Sequence, residues 1–402
     1  MVKGNKYRIF PTDEQKILLE KHFGCTRLVY NMALDIRNSA YRSIQKNVSC
    51  NKISRELKEL KKDFPFFKEV NSQSLQTSLS NLDNSFNRFF KKQGGYPNFK
   101  SKYNKQSFAC PQNTFFEEGK LSLPKFREGI RILVHRQFKG EIKNITVSKV
   151  PTGKYFVSIL TDNKKALPNK KPITENTAVG IDLGIKYFIT CSDGVKRDNP
   201  QYLRESLVRL KWMQRQLSRK KKGSARNKVW RYRVAKKHEQ IANQRKDFLH
   251  KESYAIAKRY DTVCMETLKK TNMLKNHKLA LSISDTGWGM FEQFVKYKSD
   301  WTGGNVLQLG TFEPSTIECN DCEFINRQLT LNDREWNCPN CGKHHDRDGN
   351  ASNVIKRKCL INRDAVRSLE DTEVSPIPTW QHAGKRADEV SKVLNKSLLI
   401  AN

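Results

Sequence analysis

Four cysteines stand at metal-ligand spacing: Cys319-x2-Cys322 and, after 15 intervening residues, Cys338-x2-Cys341. Each pair fits a tight knuckle turn, and four thiolates complete a closed tetrahedral shell around Zn2+. A shell with no open position makes the ion structural rather than catalytic, and leaves the neighbouring His344 and His345 surplus to it. The same stretch runs on through "HDRDGNASNVI", which sets two carboxylates, Asp346 and Asp348, at the start of a helix-like segment. Two further carboxylates punctuate apolar runs far upstream, Asp182 in "AVGIDLG" and Glu266 in "VCMETLK". Each has an ordinary structural reading: a turn residue, a strand end, a helix cap. Their chemistry depends on whether the fold gathers them.

The charge balance narrows the partners. Lys and Arg number 75 against 41 Asp and Glu in 402 residues, a formal net charge of +34. With a pI near 9.8, such self-repulsion is relieved by a polyanion, and nucleic acid is the expected one. An anionic membrane is the weaker alternative, because no apolar run approaches the roughly 20 residues of a transmembrane helix. The opening "MVKGNKYRIFP" also lacks a signal peptide's apolar core, so a cytoplasmic location with reduced thiols is expected. Of the ten cysteines only four cluster; Cys191 and Cys264, in strand-like apolar runs, read as buried small hydrophobes.

Positioning such residues takes a scaffold, and the periodicity outlines one. Residues 7–9 are strand-like, and a capping box of Thr12 and Gln15 opens a helix with Ile17, Leu18 and Leu19 on its stripe. "TRLVYNMALDIRNSAYRS" predicts a second helix, and Leu75, Leu79, Leu82, Phe86 and Phe89 predict a third. Gly94, Gly95 and Pro97 end this block in "KKQGGYPNFKSK". There Tyr96 and the lysines could stack a base and hold phosphates, or form a solvated linker. The period then changes to two. "KLSLPKF", "IRILVHRQF", "NITVSKV" and "KYFVSIL" alternate as strands, which predicts a small β-barrel with the helical block inserted after its first strand. Residues 178–198 read as a strand, a tight turn at Gly184, a second strand and a hairpin at Ser192-Asp193-Gly194. Two long helices follow around a Gly223-Ser224 turn, with seams of Leu203, Leu207, Leu210 and Leu217 and of Val234, Ile241 and Phe248. Their tip carries Arg219, Lys220, Lys221, Lys222 and Arg226, a solvated face or a grip on nucleic-acid phosphates.

An acidic residue in a first strand that folds back as a hairpin, a Glu after a later strand and an Asp opening a late helix resemble the layout of an RNase H-like nuclease core. The ordered motifs of the chain go further. "YRIFPTDEQKILLEKHFGCTRLVYN", "LSLPKF", "VGIDLGIKYF", "LSRKKKGSAR", "RKDFLHK", "METLK", "LALSISDTGWG", the cysteine ribbon and "HDRDGNASNVI" resemble the TnpB family of transposon-encoded RNA-guided DNA endonucleases, relatives of type V CRISPR effectors. The resemblance covers residues 5–360 and implies an α+β multidomain chain. A β-barrel wedge domain (1–10 and 106–172) would carry an inserted helical recognition domain (11–105). An RNase H-like (RuvC) α/β nuclease (173–310 and 343–370) would carry an inserted zinc ribbon (311–342), and a variable tail (371–402) would follow.

The resemblance also implies roles. Asp182, Glu266 and Asp348 would be the catalytic acids, repelling one another until two Mg2+ ions bridge them for phosphodiester cleavage, with Asp346 shaping the site without holding metal. Cys319, Cys322, Cys338 and Cys341 would hold structural Zn2+. The partners would be a guide RNA from the transposon end and double-stranded target DNA, in a monomeric ribonucleoprotein without membrane contact. Gln73 and Gln76 open the helix that resembles the family's motif-facing one, where amides can read adenine edges, or they are plain surface residues. "LALSISDTGWG" resembles the family's segment near the cleft, with Gly287 and Gly289 as hinges or as a helix start. Departures are Glu323 for a Gly, Ile317 and Glu318 for a more polar approach to the ribbon, and Ser352 for a common Ala. None removes a thiolate or a carboxylate, whereas a guided but cleavage-inactive repressor would lack a carboxylate.

Overall fold

The computed structural model describes residues 1–361 except 46–47, 278, 311–312 and 331–332. The tail expected at 371–402 lies outside the described residues. The described residues divide into two compact units, Met1–Lys165 and 166–361.

The first unit opens with β1 (Val2–Phe10) and α1 (Asp13–Ile44), joined through the capping box of Thr12 and Gln15. The expectation of two helices across this stretch is corrected: α1 runs for 32 residues without a break. A lone Gly24 costs a helix about 1 kcal/mol, and α1 offsets that by serving two cores. Leu19 and Phe23 pack into the sheet core, while Val29, Ala33 and Leu34 pack against α2 (Cys50–Asp63) and α3 (Ser72–Phe90). Helix α2, with Ile53, Leu57 and Leu60 buried, was not expected.

The strands β2 (Gln106–Cys110), β3 (Phe115–Glu117), β4 (Lys120–Ser122), β5 (Ile130–Leu133), β6 (Glu141–Lys149) and β7 (Tyr155–Asp162) complete a seven-stranded sheet. Its order is β2-β6-β7-β1-β5-β4-β3, antiparallel at every pair, with β1 central between β7 and β5. The edge strands β2 and β3 do not pair with each other among the described residues. The sheet of the expected small β-barrel is therefore a half-barrel; alternation marks a one-sided core and does not report closure.

In the second unit β8 (Ala178–Asp182), β9 (Tyr187–Cys191) and β10 (Lys196–Asp198) form a meander. The hairpin α4 (Tyr202–Ser218) and α5 (Ala225–Arg259) follows, turning at Gly223 (φ +84°) with Ser224 as the cap of α5. Then come β11 (Thr262–Glu266), α6 (Lys270–Met273), α7 (Ala280–Thr286), α8 (Trp288–Thr302), β12 (Asn305–Leu309), β13 (Glu335–Asn337), β14 (His344–Asp346) and α9 (Arg347–Ile361). The main sheet has the order β10-β9-β8-β11-β12. Strand β9 is antiparallel to both neighbours, whereas β8, β11 and β12 run parallel.

Strand alternation sorts this sheet into two faces. Val179, Ile181, Val263 and Met265 join the core formed with α5 and α8. Cys264, Leu307 and Leu309 face the other way and pack with Ile355 and Cys359 of α9. Gly180 belongs to the α9 face, and there a Cβ would overlap the carbonyl oxygen of Ser352 and lie 2.8 Å from the backbone nitrogen of Lys356. Ser352 is itself fully buried and turns its hydroxyl back onto the Gly349 carbonyl at 2.7 Å. Asp285 of α7 supplies a different anchor, accepting from the Leu203 and Arg204 amides at the start of α4 and pairing with Arg245 at 2.8 Å. That anchor seats the segment expected to contain hinges. Among the described residues no helix is long and apolar enough to cross a membrane.

The contact at Gly180 yields a prediction. Gly180→Ala must push α9 off β8, and overpacking of this kind costs about 1–3 kcal/mol. Ser352→Ala removes only a local hydroxyl and stays within about 1 kcal/mol of the parent. Urea unfolding of the two variants beside the parent measures both.

Candidate active site

Asp182 ends β8 and Glu266 ends β11, each one step past the paired residues Ile181 and Met265. The strands are parallel, so both carboxylates emerge at the carboxyl edge of the sheet, where α/β proteins place their ligands. Two residues back on each strand lie Gly180 and Cys264, so both carboxylates fall on the face that α9 covers. Helix α9 brings Asp348 to the same place. Asp346 accepts the Gly349 amide at 2.8 Å, the interaction of a helix cap, and pairs with Lys196 at 3.1 Å. Capping is thus done by Asp346, which leaves Asp348 available. Its carboxylate is held by Arg334 at 3.1 Å and Arg347 at 3.2 Å.

The electrostatics report the convergence. Burial, followed by repulsion from Glu266 and then Asp348, raises the Asp182 carboxyl to about 8, against a smaller opposing pull from Arg347. Burial also raises Glu266, the Ser315 hydroxyl opposes it, and Glu292 of α8 adds repulsion. The carboxylates are spread more widely than a single-ion cage: among the described residues, the groups whose ligand atoms all lie within 4.8 Å are the four cysteines and the set Cys319, Asp321 and His345. Hard oxygen donors that repel one another fit divalent cations such as Mg2+. Arg334, Ser315 and Glu292 were missed in the sequence. Arg347 was visible inside "DRD", but its role was not. The first three come from separate segments and carry no local signal.

The cysteines fit their ion by a stricter test. A tetrahedron of thiolates with Zn–S near 2.3 Å requires sulfur atoms about 3.8 Å apart. Cys319 and Cys341 are 3.8 Å apart, and Cys322 and Cys338 are 3.5 Å apart. Both knuckles repeat one backbone pattern, in which the amides of Glu323 and Gly342 donate to the carbonyls of Cys319 and Cys338. Each of those two donors has positive φ, +62° at Glu323 and +70° at Gly342. His345 Nε2 lies 3.1 Å from Cys319 Sγ, so it stands against the thiolate shell as a neighbour that can orient a sulfur. The strand pair β13/β14 continues the ribbon to Asp346, past the boundary expected at 342. It thereby delivers the chain straight into α9.

The expected nucleic-acid residues lie apart from these carboxylates in sequence and in role. Gln73 is half-buried and donates to Gln112 at 2.6 Å, while Gln76 is exposed on α3. Tyr96 packs edge-on against Phe86 and Phe89 and donates its hydroxyl to Asn38, so it fastens its loop to the helices. Arg219, Lys221, Lys222 and Arg226 are exposed at the α4/α5 tip, and Lys220 is partly covered.

Comparison with known proteins decides the family. A family model described as a probable transposase matches residues 157–277, and one described as Cas12f1-like, TNB domain matches residues 288–355. A Streptomyces pristinaespiralis protein named as an RNA-guided DNA endonuclease is 40% identical over 356 residues, covering 87% of both chains. The chain belongs to the TnpB family. InsQ of Escherichia coli K12, named likewise, is 30% identical over 352 residues and covers 83% of this chain and 86% of its own. A model described as a helix-turn-helix domain matches residues 1–46, yet the described part of that stretch is one strand and one unbroken helix. Among solved structures, a Cas12f1-sgRNA-target DNA complex covers 89% of this chain at 12% identity and a TM-score of 0.36, a remote likeness.

Two outcomes follow from the geometry. The Gly342 position has open space where a Cβ would go, so Gly342→Ala costs only the left-handed backbone penalty of about 1–2 kcal/mol; zinc release under chelator, timed with a colorimetric dye, should be faster by about tenfold or more. The second concerns pH. A carboxyl raised from its ordinary value to about 8 binds its proton more tightly folded than unfolded, so it lowers stability as pH rises toward 8. In Mg2+-free buffer the melting temperature should therefore fall between pH 5 and 8 by less in Asp182→Asn than in the parent, a comparison made by differential scanning fluorimetry.

Proposed function

We propose that this chain is an RNA-guided, Mg2+-dependent DNA endonuclease whose catalytic acids are Asp182, Glu266 and Asp348. The observation that carries this reading is their convergence on one sheet edge, where burial and then repulsion from Glu266 and Asp348 raise the Asp182 carboxyl well above its ordinary range. The order β10-β9-β8-β11-β12 with β9 antiparallel supports an RNase H-like (RuvC-like) core. Relatives named as RNA-guided DNA endonucleases support the substrate and the guide. Asp182, Glu266 and Asp348 would hold the metal. Mg2+ held there would supply activation of the attacking water and charge stabilisation of the leaving oxygen.

The remaining work falls to the protein. Arg334 and Arg347 keep the Asp348 carboxylate aimed, Asp346 fixes the first turn of α9, and the ribbon sets where that turn begins. The tip of α4/α5 grips phosphates of the guide or the heteroduplex through Arg219, Lys220, Lys221, Lys222 and Arg226. Gln76, exposed on α3, and Gln73 beside it read a short motif on duplex DNA, while base pairing reads the rest. The guide comes from the transposon end, and the protein works as a monomeric ribonucleoprotein in the cytoplasm, at the nucleoid when on DNA. All three carboxylates being present disfavours a cleavage-inactive repressor.

Replacing Asp182, Glu266 or Asp348 with Ala should reduce cleavage of a guide-matched DNA by about 10²-fold or more while guided binding persists, because backbone contacts carry the binding. Asp346→Ala, which loses a cap worth about 1 kcal/mol, should retain measurable cutting. Single-turnover cleavage and filter binding on the same preparations decide it: a Glu266→Ala protein cutting at the parental rate would remove that residue from the site.

A further inference from the structure

A cavity of about 530 Å³ opens within the Met1–Lys165 unit, between α1, α3, the 100–107 segment and strands β2 and β6. Its lining includes three cations, Arg27, Lys100 and Lys105, and no carboxylate. None of the three is ion-paired among the described residues. An uncompensated cationic cavity in a folded unit asks for an anion.

Two of the cations, Arg27 and Lys100, are held in place before any ligand arrives. Gln106 Nε2 donates to the carbonyls of Ser101, Lys102 and Asn104 at 3.2, 3.1 and 2.8 Å, folding that loop around one amide. Its Oε1 accepts from Arg27 Nη1 at 2.7 Å and so orients the guanidinium. One turn further along α1, Asn31 pairs reciprocally with the backbone of Lys100, at 2.9 and 2.8 Å. Lys100 Nζ then lies 3.7 Å from the centre of the Tyr30 ring, and desolvation holds it below the usual lysine range.

A second observation makes the site more selective than an anion trap. Asn144 of β6 lines the same cavity, and its Oδ1 is buried with no donor among the described residues. A buried amide oxygen of this kind needs an N–H or O–H from whatever fills the space. On the α3 wall, Thr77 and Ser78 donate their hydroxyls to the Gln73 and Thr26 carbonyls, so toward a ligand their oxygens can serve as acceptors. The volume lies in the range of small-ligand sites.

We propose that this cavity is a single-nucleotide pocket, which takes one unstacked nucleotide with its phosphate toward Arg27, Lys100 and Lys105 and a base or sugar donor on Asn144. Unstacked nucleotides are what proteins read individually in single-stranded nucleic acid. The nucleotide belongs to the guide RNA or to the DNA strand it meets, so the proposal rests on the guided-nuclease reading. It differs from the α4/α5 tip, whose charge is exposed.

The test titrates full-length protein with UMP, CMP, AMP and GMP, with the matching deoxynucleotides, and with inorganic phosphate, each up to about 10 mM, following melting temperature and ligand-observed NMR. At least one nucleotide should bind saturably where phosphate does not, and Asn144→Leu should weaken it about tenfold. A preference for ribonucleotides assigns the pocket to the guide, and a preference for deoxynucleotides assigns it to DNA. If Asn144→Leu melts early, Lys105→Gln in the exposed loop carries the test, with weaker nucleotide binding expected at an unchanged melting temperature. Equal binding of inorganic phosphate, no nucleotide binding at all, or undiminished binding by the variants overturns the proposal. Because no step here requires cleavage, mononucleotide binding by a protein that cannot cut DNA would sink the nuclease reading and leave the pocket standing.

Discussion

Helix α9 lies against strand β8 at a separation that only glycine permits, with the Ser352 carbonyl occupying the space of a Gly180 side chain. This contact fixes the distance between the strand that ends in Asp182 and the helix that begins with Asp348. Glu266 enters from the parallel neighbour β11, in register with β8. Three carboxylates from positions far apart in the chain thus meet because one helix can sit directly on one strand. A side chain at position 180 would separate them.

The ribbon is tied to the same helix. Asn350, fully inside α9, donates to the Glu318 carbonyl at 2.6 Å and accepts from the Asn320 amide at 2.9 Å. Arg357 reaches Glu318 at 2.6 Å and also pairs with Glu323, and Lys358 joins Glu318 from the next position. The departures at Glu318 and Glu323 form one group in this light. Glu318 is buried, which a carboxylate tolerates when two cations meet it. Glu323 occupies a left-handed position that Gly342 fills in the other knuckle, and its ion pair with Arg357 offsets part of that strain. Ribbon and α9 therefore behave as one positioning element for Asp348.

Gathering like charges opposes folding, and the surroundings moderate it unevenly. Asp348 has two arginines, whereas burial and its two carboxylate neighbours push Asp182 toward its neutral form. That imbalance is the electrostatic signature expected where a cation, rather than a side chain, completes the charge balance.

Features written in adjacent residues were legible in the sequence. The Thr12 capping box, the Ser192-Asp193-Gly194 hairpin, the α4/α5 turn and the paired cysteines each depend on atoms a few bonds apart, so spacing determines them. The charge excess likewise announced a polyanionic partner without any fold. The two helices expected after Thr12 are one, because packing on two cores outweighs the propensity cost of Gly24, about 1 kcal/mol. The half-barrel was not legible, since alternation reports which face is buried and says nothing of whether the last strand returns to the first. The carboxylates were legible as candidates through family resemblance, but how they are brought together is visible only in the tertiary structure. Asp346 and Asp348 are chemically identical and two residues apart. Only the direction of α9 over β8 turns one into a helix cap and the other toward Asp182, because a side chain's function there depends on which neighbours a distant strand order brings within reach.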